Sequence, residues 1–392
     1  MENNIPVEEG LADDIVGEYQ YEAPQRQKKE FLPWHRPRKQ FVRDRQWRSE
    51  IVKLVEAAPP IDGVIKYLGL PGLDLLDLRY FHNTICERQN LKLRFLGFNT
   101  AAAPNDEAQT EFNLCRDEVK RLEQIDPLSD VIRDDFRLVG NPNSKAFKET
   151  AKLGPYDVVN LDLCDGFAKH PPGHLDGTHY DAMSQLLSIQ ARNKNPWLLF
   201  LTTRVGNNDI HRDVLDRLLD KYRENLINCT AFREKSFEHF SIQNNDDLLN
   251  AIQTEPGLTN IFLTGICKWL LSCSINQTPP TKVKLISVFG YRVSQDANHE
   301  DLISLAIKFE PCSTAVADPF GLANHQGNRP TECELSPNFV AKVANRKDAD
   351  NILSTNDQLH GEMITAMADL LSLARYDTGA FQSWVNAGCP AQ

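Results

Sequence analysis

The sequence predicts an α/β fold, doubly wound around a mostly parallel seven-stranded sheet, with a C-terminal antiparallel hairpin strand. Three observations predict it. Strand-like apolar runs alternate with amphipathic helical patterns from residue 64 to residue 272, which is the mark of successive βα units. Residues 156–166, Tyr-Asp-Val-Val-Asn-Leu-Asp-Leu-Cys-Asp-Gly, form a near-continuous apolar run whose polar residues gather toward its end, as in a buried central strand with its tip at a site. Residues 282–293 and 302–310 both read as strands, and the polar link between them is too short for a helical crossover, so they pair antiparallel.

The first unit is the best defined. Residues 64–72 run Val-Ile-Lys-Tyr-Leu-Gly-Leu-Pro-Gly: a short strand and a Gly-x-Pro-Gly turn. Residues 73–89 follow with Leu75, Leu76, Leu78, Phe81, Ile85 and Cys86 on one helical stripe, and Asp74 is placed as its N-cap. Residues 91–99 read as the second strand. Strand, glycine turn, helix and strand make a βαβ unit, which sets a helix N-terminus and bare backbone N–H groups at the end of its first strand.

Residues 1–25 are acidic, polar and without periodicity. Between Arg26 and Arg48 the chain turns basic, carrying +7 within a total of −11. The pattern Phe41, Trp47, Ile51, Leu54, Val55 suits an amphipathic helix over residues 39–55, which Pro33 and Pro37 delay until after Arg38. Its aromatics belong either to a core or to a base-stacking surface. On the second reading, Arg36, Arg38, Lys39 and Arg43 hold nucleic-acid phosphates.

Beyond the first unit, residues 111–124 read as a helix, 131–139 as a third strand with acids inside it, and 144–153 as a short helix. A loop at 167–179 carries His170, His174, His179 and Asp176. Their spacing fits no helical metal pair, so an exposed substrate loop and no metal are expected. Then come a helix at 180–192, a strand at 197–203, and helices at 209–228 and 246–272, the last broken near Pro256-Gly257. Asp318-Pro319-Phe320-Gly321 reads as a turn, and 351–375 as a helix. The expected division is an acidic tail and basic arm or helix at 1–58, an α/β domain at 59–312, and a helical C-terminal appendage at 313–392.

Hydrophobic content of 41% and charged content of 25% suit a globular chain, and no apolar run long enough to cross a bilayer is expected. The acidic start is unlike a secretory signal. Nine dispersed cysteines without a Cys-x-x-Cys pair suggest reduced thiols in a cytoplasmic protein, with Cys164 a small buried hydrophobe.

This order of elements, over about residues 61–311, resembles the class I S-adenosylmethionine-dependent methyltransferases. The resemblance implies a Rossmann-like domain that binds S-adenosylmethionine. It implies that Gly69, Pro71, Gly72 and Asp74 border the methionine end and that Asn99 stands where an acid usually meets the ribose. It also implies that Asp134, Asp135 and Phe136 frame the adenine and that Asn160 faces the cofactor. The turn lacks the fuller acid-x-Gly-x-Gly-x-Gly form, and the fourth-strand tip is Asn-Leu-Asp-Leu-Cys-Asp. Methyl transfer needs positioning and at most one carboxylate to orient the nucleophile or take its proton. Asp162 and Asp165 are the candidates.

Two functions follow. One is a methyltransferase acting on a nucleic acid or protein. The other is a catalytically inactive Rossmann-like partner subunit of a multi-protein system, such as bacterial phage defence, which the Asn99 substitution favours. A phosphate-binding hydrolase lacks its Gly-x-x-x-x-Gly-Lys-Ser/Thr loop.

Overall fold

The computed structural model describes residues 30–100, 106–294, 299–312, 320, 322 and 329–390. The acidic tail, residues 26–29 of the basic stretch, and Asp318, Pro319 and Gly321 of the expected turn lie outside them. A 3-10 turn at Pro33–His35 leads into one continuous helix made of α1 (Pro37–Val42), a π-helical turn at Arg43–Arg48 and α2 (Ser49–Ala57). Pro37 sits at the first helical position, where its missing N–H costs nothing.

Strands β1 (Val64–Gly69), β2 (Lys92–Phe98), β3 (Asp130–Ile132), β4 (Val158–Asp162) and β5 (Trp197–Arg204) are parallel. The connections are α3 (Leu76–Phe81) and α4 (Glu87–Gln89), then α5 (Asp106–Lys120), α6 (Lys145–Leu153) and α7 (His179–Gln190). Helices α8 (Arg212–Asn228), α9 (Thr230–Phe240), α10 (Asn245–Ala251) and α11 (Glu255–Ile275) lead to the hairpin of β6 (Thr281–Tyr291) and β7 (Leu302–Pro311). Last come α12 (Glu332–Ala344), β8 (Lys347–Asp348), α13 (Ala349–Ser354), α14 (Asp357–Ser372) and α15 (Thr378–Asn386).

The strands form one sheet in the order β3-β2-β1-β4-β5-β7-β6-β8. Strand β7 enters between β5 and β6 and is antiparallel to both, as the hairpin reading expects. The strand count differs: the sheet has eight strands rather than seven, because two residues after α12 pair with the outer edge of β6. This is an α/β architecture with a mixed sheet and helices on both faces.

Alternation along each strand builds two cores, one per face. On β5, Leu198 and Phe200 join one cluster, while Leu199 and Leu201 join the other. The first cluster takes in Phe41 and Trp47 from the N-terminal helix together with Met367 and Phe381 from the C-terminal helices. Trp47 is fully buried, and its Nε1 donates to Ser304 Oγ at 3.2 Å. Truncating such a side chain typically costs about 3–5 kcal/mol. These two aromatics are therefore core, the first of the two alternatives.

Four local expectations change. The stretch 131–139 is a strand for three residues only and then a 3-10 turn at Phe136–Gly140, because the Asp135 carboxylate accepts from Arg137 N and caps that turn. Leu75, not Asp74, is the N-cap residue of α3. Helix α11 is long and apolar enough to cross a membrane by length and composition, against the expectation of no such run; here it is largely buried against β6, α8 and α12. Cys229 and Cys333 form a disulfide with Cα atoms 5.2 Å apart, correcting the expectation of reduced thiols throughout.

Candidate functional site

β1 pairs with β2 on one side and with β4 on the other, so the strand order reverses between β1 and β4. Open α/β sheets bind ligands in the crevice at the carboxyl ends of the strands flanking such a reversal. A cavity of about 500 Å³ lies there. It is bordered by the turn after β1, by Asn99 at the end of β2, by Asp134, Asp135 and Phe136 after β3, and by Asp162 at the end of β4. Leu32 and Trp34 come over it from the N-terminal side.

The turn is held from several directions. Leu75 is fully buried with φ +50°, a left-handed conformation that an L side chain adopts at a cost of about 1–2 kcal/mol. Its N–H donates to Gly72 O at 3.1 Å. Asn99 Nδ2 donates to Pro71 O at 2.8 Å, tying the end of β2 to the same turn. A Cβ on Gly97 would stand 2.8 Å from Pro71 Cγ and 2.9 Å from Val131 Cγ2, so only glycine lets Pro71 lean on β2. A Cβ at Gly72 would meet nothing within 4 Å. Asp74 accepts from Tyr376 Oη at 2.7 Å, which links the turn to the C-terminal helices.

Across the cavity, Phe136 and Phe98 meet edge to face, centroids 5.8 Å apart. Asp135 is bound by the Arg137 guanidinium; burial opposes ionisation there, but the Arg137 hydrogen bonds prevail and hold its pKa below the usual value. Asp134 Oδ1 accepts from the Asp135 N–H. His179, half-buried, stacks on Phe167 with centroids 5.5 Å apart, and burial pushes its pKa down to about 4.

The floor is polar and buried. Lys39 Nζ donates to Asp162 Oδ1 at 2.5 Å and to Tyr291 Oη at 3.1 Å. It also lies 4.6 Å from the centroid of the Trp47 ring. Burial alone would lower the pKa of Lys39, but the Asp162 carboxylate outweighs it and the net shift is upward. Arg43 Nε donates to Asp77 Oδ1 at 2.7 Å beside this pair. Tyr67, fully buried and bonded to the Asn160 side chain, is raised well above its ordinary pKa by burial.

Several sequence-derived residues fall elsewhere. Gly69 and Asn160 pair with each other inside the sheet and do not line the cavity. Asp165 also lies off the cavity: it forms an exposed pair with Lys169 at 2.6 Å and bonds the Gly166 N–H. Cys164 is exposed rather than buried, and it borders the cavity. Arg36, Lys39 and Arg43, expected to hold phosphates, are instead buried and committed inward: Arg36 donates to Val293 O and Cys389 O, and the other two pair with Asp162 and Asp77. Arg38 is partly exposed and pairs with Asp350 at 2.8 Å.

Among the described residues, the one group with metal-ligand spacing is Asp74, Glu111 and Cys115. The Arg375 guanidinium bonds both Glu111 and Cys115, so a cation already stands there. Lys39 and Asp77 are the site residues that sequence reasoning missed in these roles. Lys39 lies 123 residues from its partner, so no local pattern links them.

The family model described as PP_RS20740-like matches residues 28–386. No curated protein matches the chain. A crystal structure described as a candidate class I S-adenosylmethionine-dependent methyltransferase from Listeria monocytogenes is similar over 76% of this chain and 69% of its own, at 10% identity and a TM-score of 0.34. A likeness at that level bears no weight on chemistry.

Proposed function

The chain belongs to the PP_RS20740-like family, and we propose that it is a methyltransferase-like protein that binds S-adenosylmethionine and acts on a nucleic acid or protein acceptor. One observation carries this reading: a cavity of about 500 Å³ sits at the reversal of strand order and is bordered by Pro71, Gly72, Asp74, Asn99, Asp134, Asp135, Phe136 and Asp162. Its volume lies in the range of small-molecule and cofactor sites.

The residues present suit the cofactor. Phe98 and Phe136 give an apolar wall for a purine, and Asp134 offers carboxylate oxygens to hydroxyl or amino donors. The backbone at Gly72 is uncovered, so a polar ligand end can approach it closely. S-adenosylmethionine, when bound, supplies a methyl carbon that is already electrophilic, so the chain has mainly to position and to exclude water. Lys39 holds the Asp162 carboxylate in place at the inner wall, and Trp34 shields it from the N-terminal side.

The test is isothermal titration with S-adenosylmethionine and with S-adenosylhomocysteine. Binding heat and mutual competition are expected, with affinity weakened about tenfold or more by Phe136→Ala. No heat and no competition would overturn the reading.

A second reading is a catalytically inactive partner subunit, supported by the neutralisation of Asp162 by Lys39. It expects a stable protein partner on co-purification and no mass for a bound nucleoside.

A further inference from the structure

A second cavity, of about 150 Å³, adjoins the first. Lys39, Asp162, Leu163, Cys164 and Trp34 border both, so the ion pair lies where the two cavities meet. The walls that belong to the smaller cavity alone are mostly apolar, with Pro33, Val293, Leu302 and the ring of Tyr291, and their one charged group, Arg204, is held by Asp301 and Cys164 O. A volume of this size elsewhere holds one benzene-sized ring.

The polar groups at this junction can take further hydrogen bonds. An ammonium carries three N–H donors. Lys39 is 3% exposed, and its hydrogen bonds are those to Asp162 Oδ1 and Tyr291 Oη. Its third N–H has no hydrogen-bond acceptor among the described residues, although the ammonium also lies against the Trp47 ring, 4.6 Å from its centroid. The Asp162 carboxylate is engaged through Oδ1 only, which leaves Oδ2 without a donor among the described residues. Asp162 Oδ2 faces the open side of the site, since that side chain keeps 20% of its surface, so a ligand there exchanges with water, and one that accepts from Lys39 and donates to Asp162 uses both groups. A hydroxyl does both. An ammonium would set a second cation against Lys39, and a carboxylate has no hydrogen for Asp162.

We propose that the smaller cavity is an acceptor subsite for a single six-membered aromatic ring bearing a hydroxyl, whose oxygen accepts from Lys39 Nζ while its hydrogen is donated to Asp162 Oδ2. The proposal rests on the cofactor reading only in making that oxygen the methyl acceptor. In that transfer the oxygen–carbon bond forms as the carbon–sulfur bond breaks and its electron pair stays on sulfur. The hydroxyl proton passes to Asp162 and then to solvent.

The test titrates the full chain, with and without S-adenosylhomocysteine, against 4-fluorophenol and 4-fluoroaniline, read by fluorine NMR. The probes have the same ring and both donate, but the aniline nitrogen is a poor acceptor, so their difference reads the bond from Lys39. The phenol is expected to bind roughly tenfold or more tighter than the aniline. Lys39→Met should weaken the phenol by a similar factor. Val293→Trp, which fills the smaller cavity from a wall the larger one does not share, should do the same and leave S-adenosylhomocysteine binding unchanged.

Equal binding of the two probes, or phenol binding indifferent to Val293→Trp, overturns the proposal. Phenol binding as described without any heat from S-adenosylhomocysteine keeps the subsite and removes the cofactor. The reverse pattern removes the subsite alone. Displacement of the phenol by N-acetyltyrosinamide supports a tyrosine side chain, the protein acceptor of the reading above, and its failure overturns a protein acceptor at this subsite.

Discussion

Lys39 Nζ stands 2.5 Å from Asp162 Oδ1, joining the helix that opens the described chain to the tip of its fourth strand. The ammonium is almost wholly buried, while the Asp162 side chain keeps 20% of its surface. Such a pair yields little over a well-packed apolar substitute, but removing one partner strands the other. The helix is thereby fixed in register over the cavity as much as it is stabilised.

Lys39→Met should lower unfolding free energy by about 2–4 kcal/mol, discounted for the partial exposure of Asp162. Urea denaturation measures it. The double variant Lys39→Met, Asp162→Asn should recover part of the loss, since no uncompensated charge remains. An unchanged midpoint in the single variant would mean that the pair contributes nothing.

Alkaline pH should weaken the fold through the same cluster. The pKa of Lys39 is raised on folding, so its contribution is complete below about pH 10.4, where the unfolded chain begins to lose that proton, and fades above it. Tyr291, pushed up to about 12 by burial, acts in the same sense, because the unfolded tyrosine ionises first near pH 10. Stability is expected to be level in this respect up to about pH 10 and to fall beyond it. In Lys39→Met, the alkaline fall should be shallower.

His179 governs part of the acid limb. Its folded pKa of about 4 lies below the ordinary 6.5, so its contribution is present above pH 6.5 and is lost as pH falls toward 4. Replacing it with Phe should flatten that interval by roughly 2 kcal/mol, reduced from the full shift because the ring is half-buried. Urea midpoints at pH 7 and pH 4.5 compare the two proteins.

Gly97→Ala tests the packing behind the turn. The added methyl meets Pro71 and Val131 closer than real contacts allow, so the turn must move. A stability loss of about 1–3 kcal/mol is expected. Binding of S-adenosylhomocysteine should weaken alongside it, whereas Gly72→Ala, facing open space, should leave stability nearly unchanged.

Reduction should loosen the joint between α9 and α12. Cys229 and Cys333 close a span of 104 residues, so loss of the bond typically costs about 2–4 kcal/mol. Dithiothreitol should lower the melting temperature of the native chain and leave Cys333→Ser unmoved.

What the sequence makes legible here is what repeats at short range. The run around Val158 to Leu163, the hairpin of β6 and β7 and the βαβ unit at Val64 all show themselves by period and spacing. Strand β3 is overread because Phe136 and Val139 are as apolar as strand residues, while the cap from Asp135 to Arg137 N depends on a turn that the pattern does not announce. Strand β8 is two residues long and has no pattern to read. In the site, Asp162 is picked out by its place at a strand tip, and Asp165 is picked out by the same reasoning three residues too far. The arm misleads for a physical reason. A buried Lys or Arg with a distant acid has the same local sequence as an exposed one, so its pairing is settled by tertiary contact alone.

The first helix is braced from behind by the last ones: α1 packs on α13 and α14, Arg38 reaches Asp350, and Arg43 Nη1 meets Met367 Sδ. Synthesis runs in the other direction. A nascent chain exposes the helix bearing Lys39 long before α14 leaves the ribosome, so the wall that this helix gives the ligand crevice stays unsupported until α13 and α14 have emerged. A chain truncated after Asp348 should therefore keep every strand of the sheet and leave the pocket unfinished.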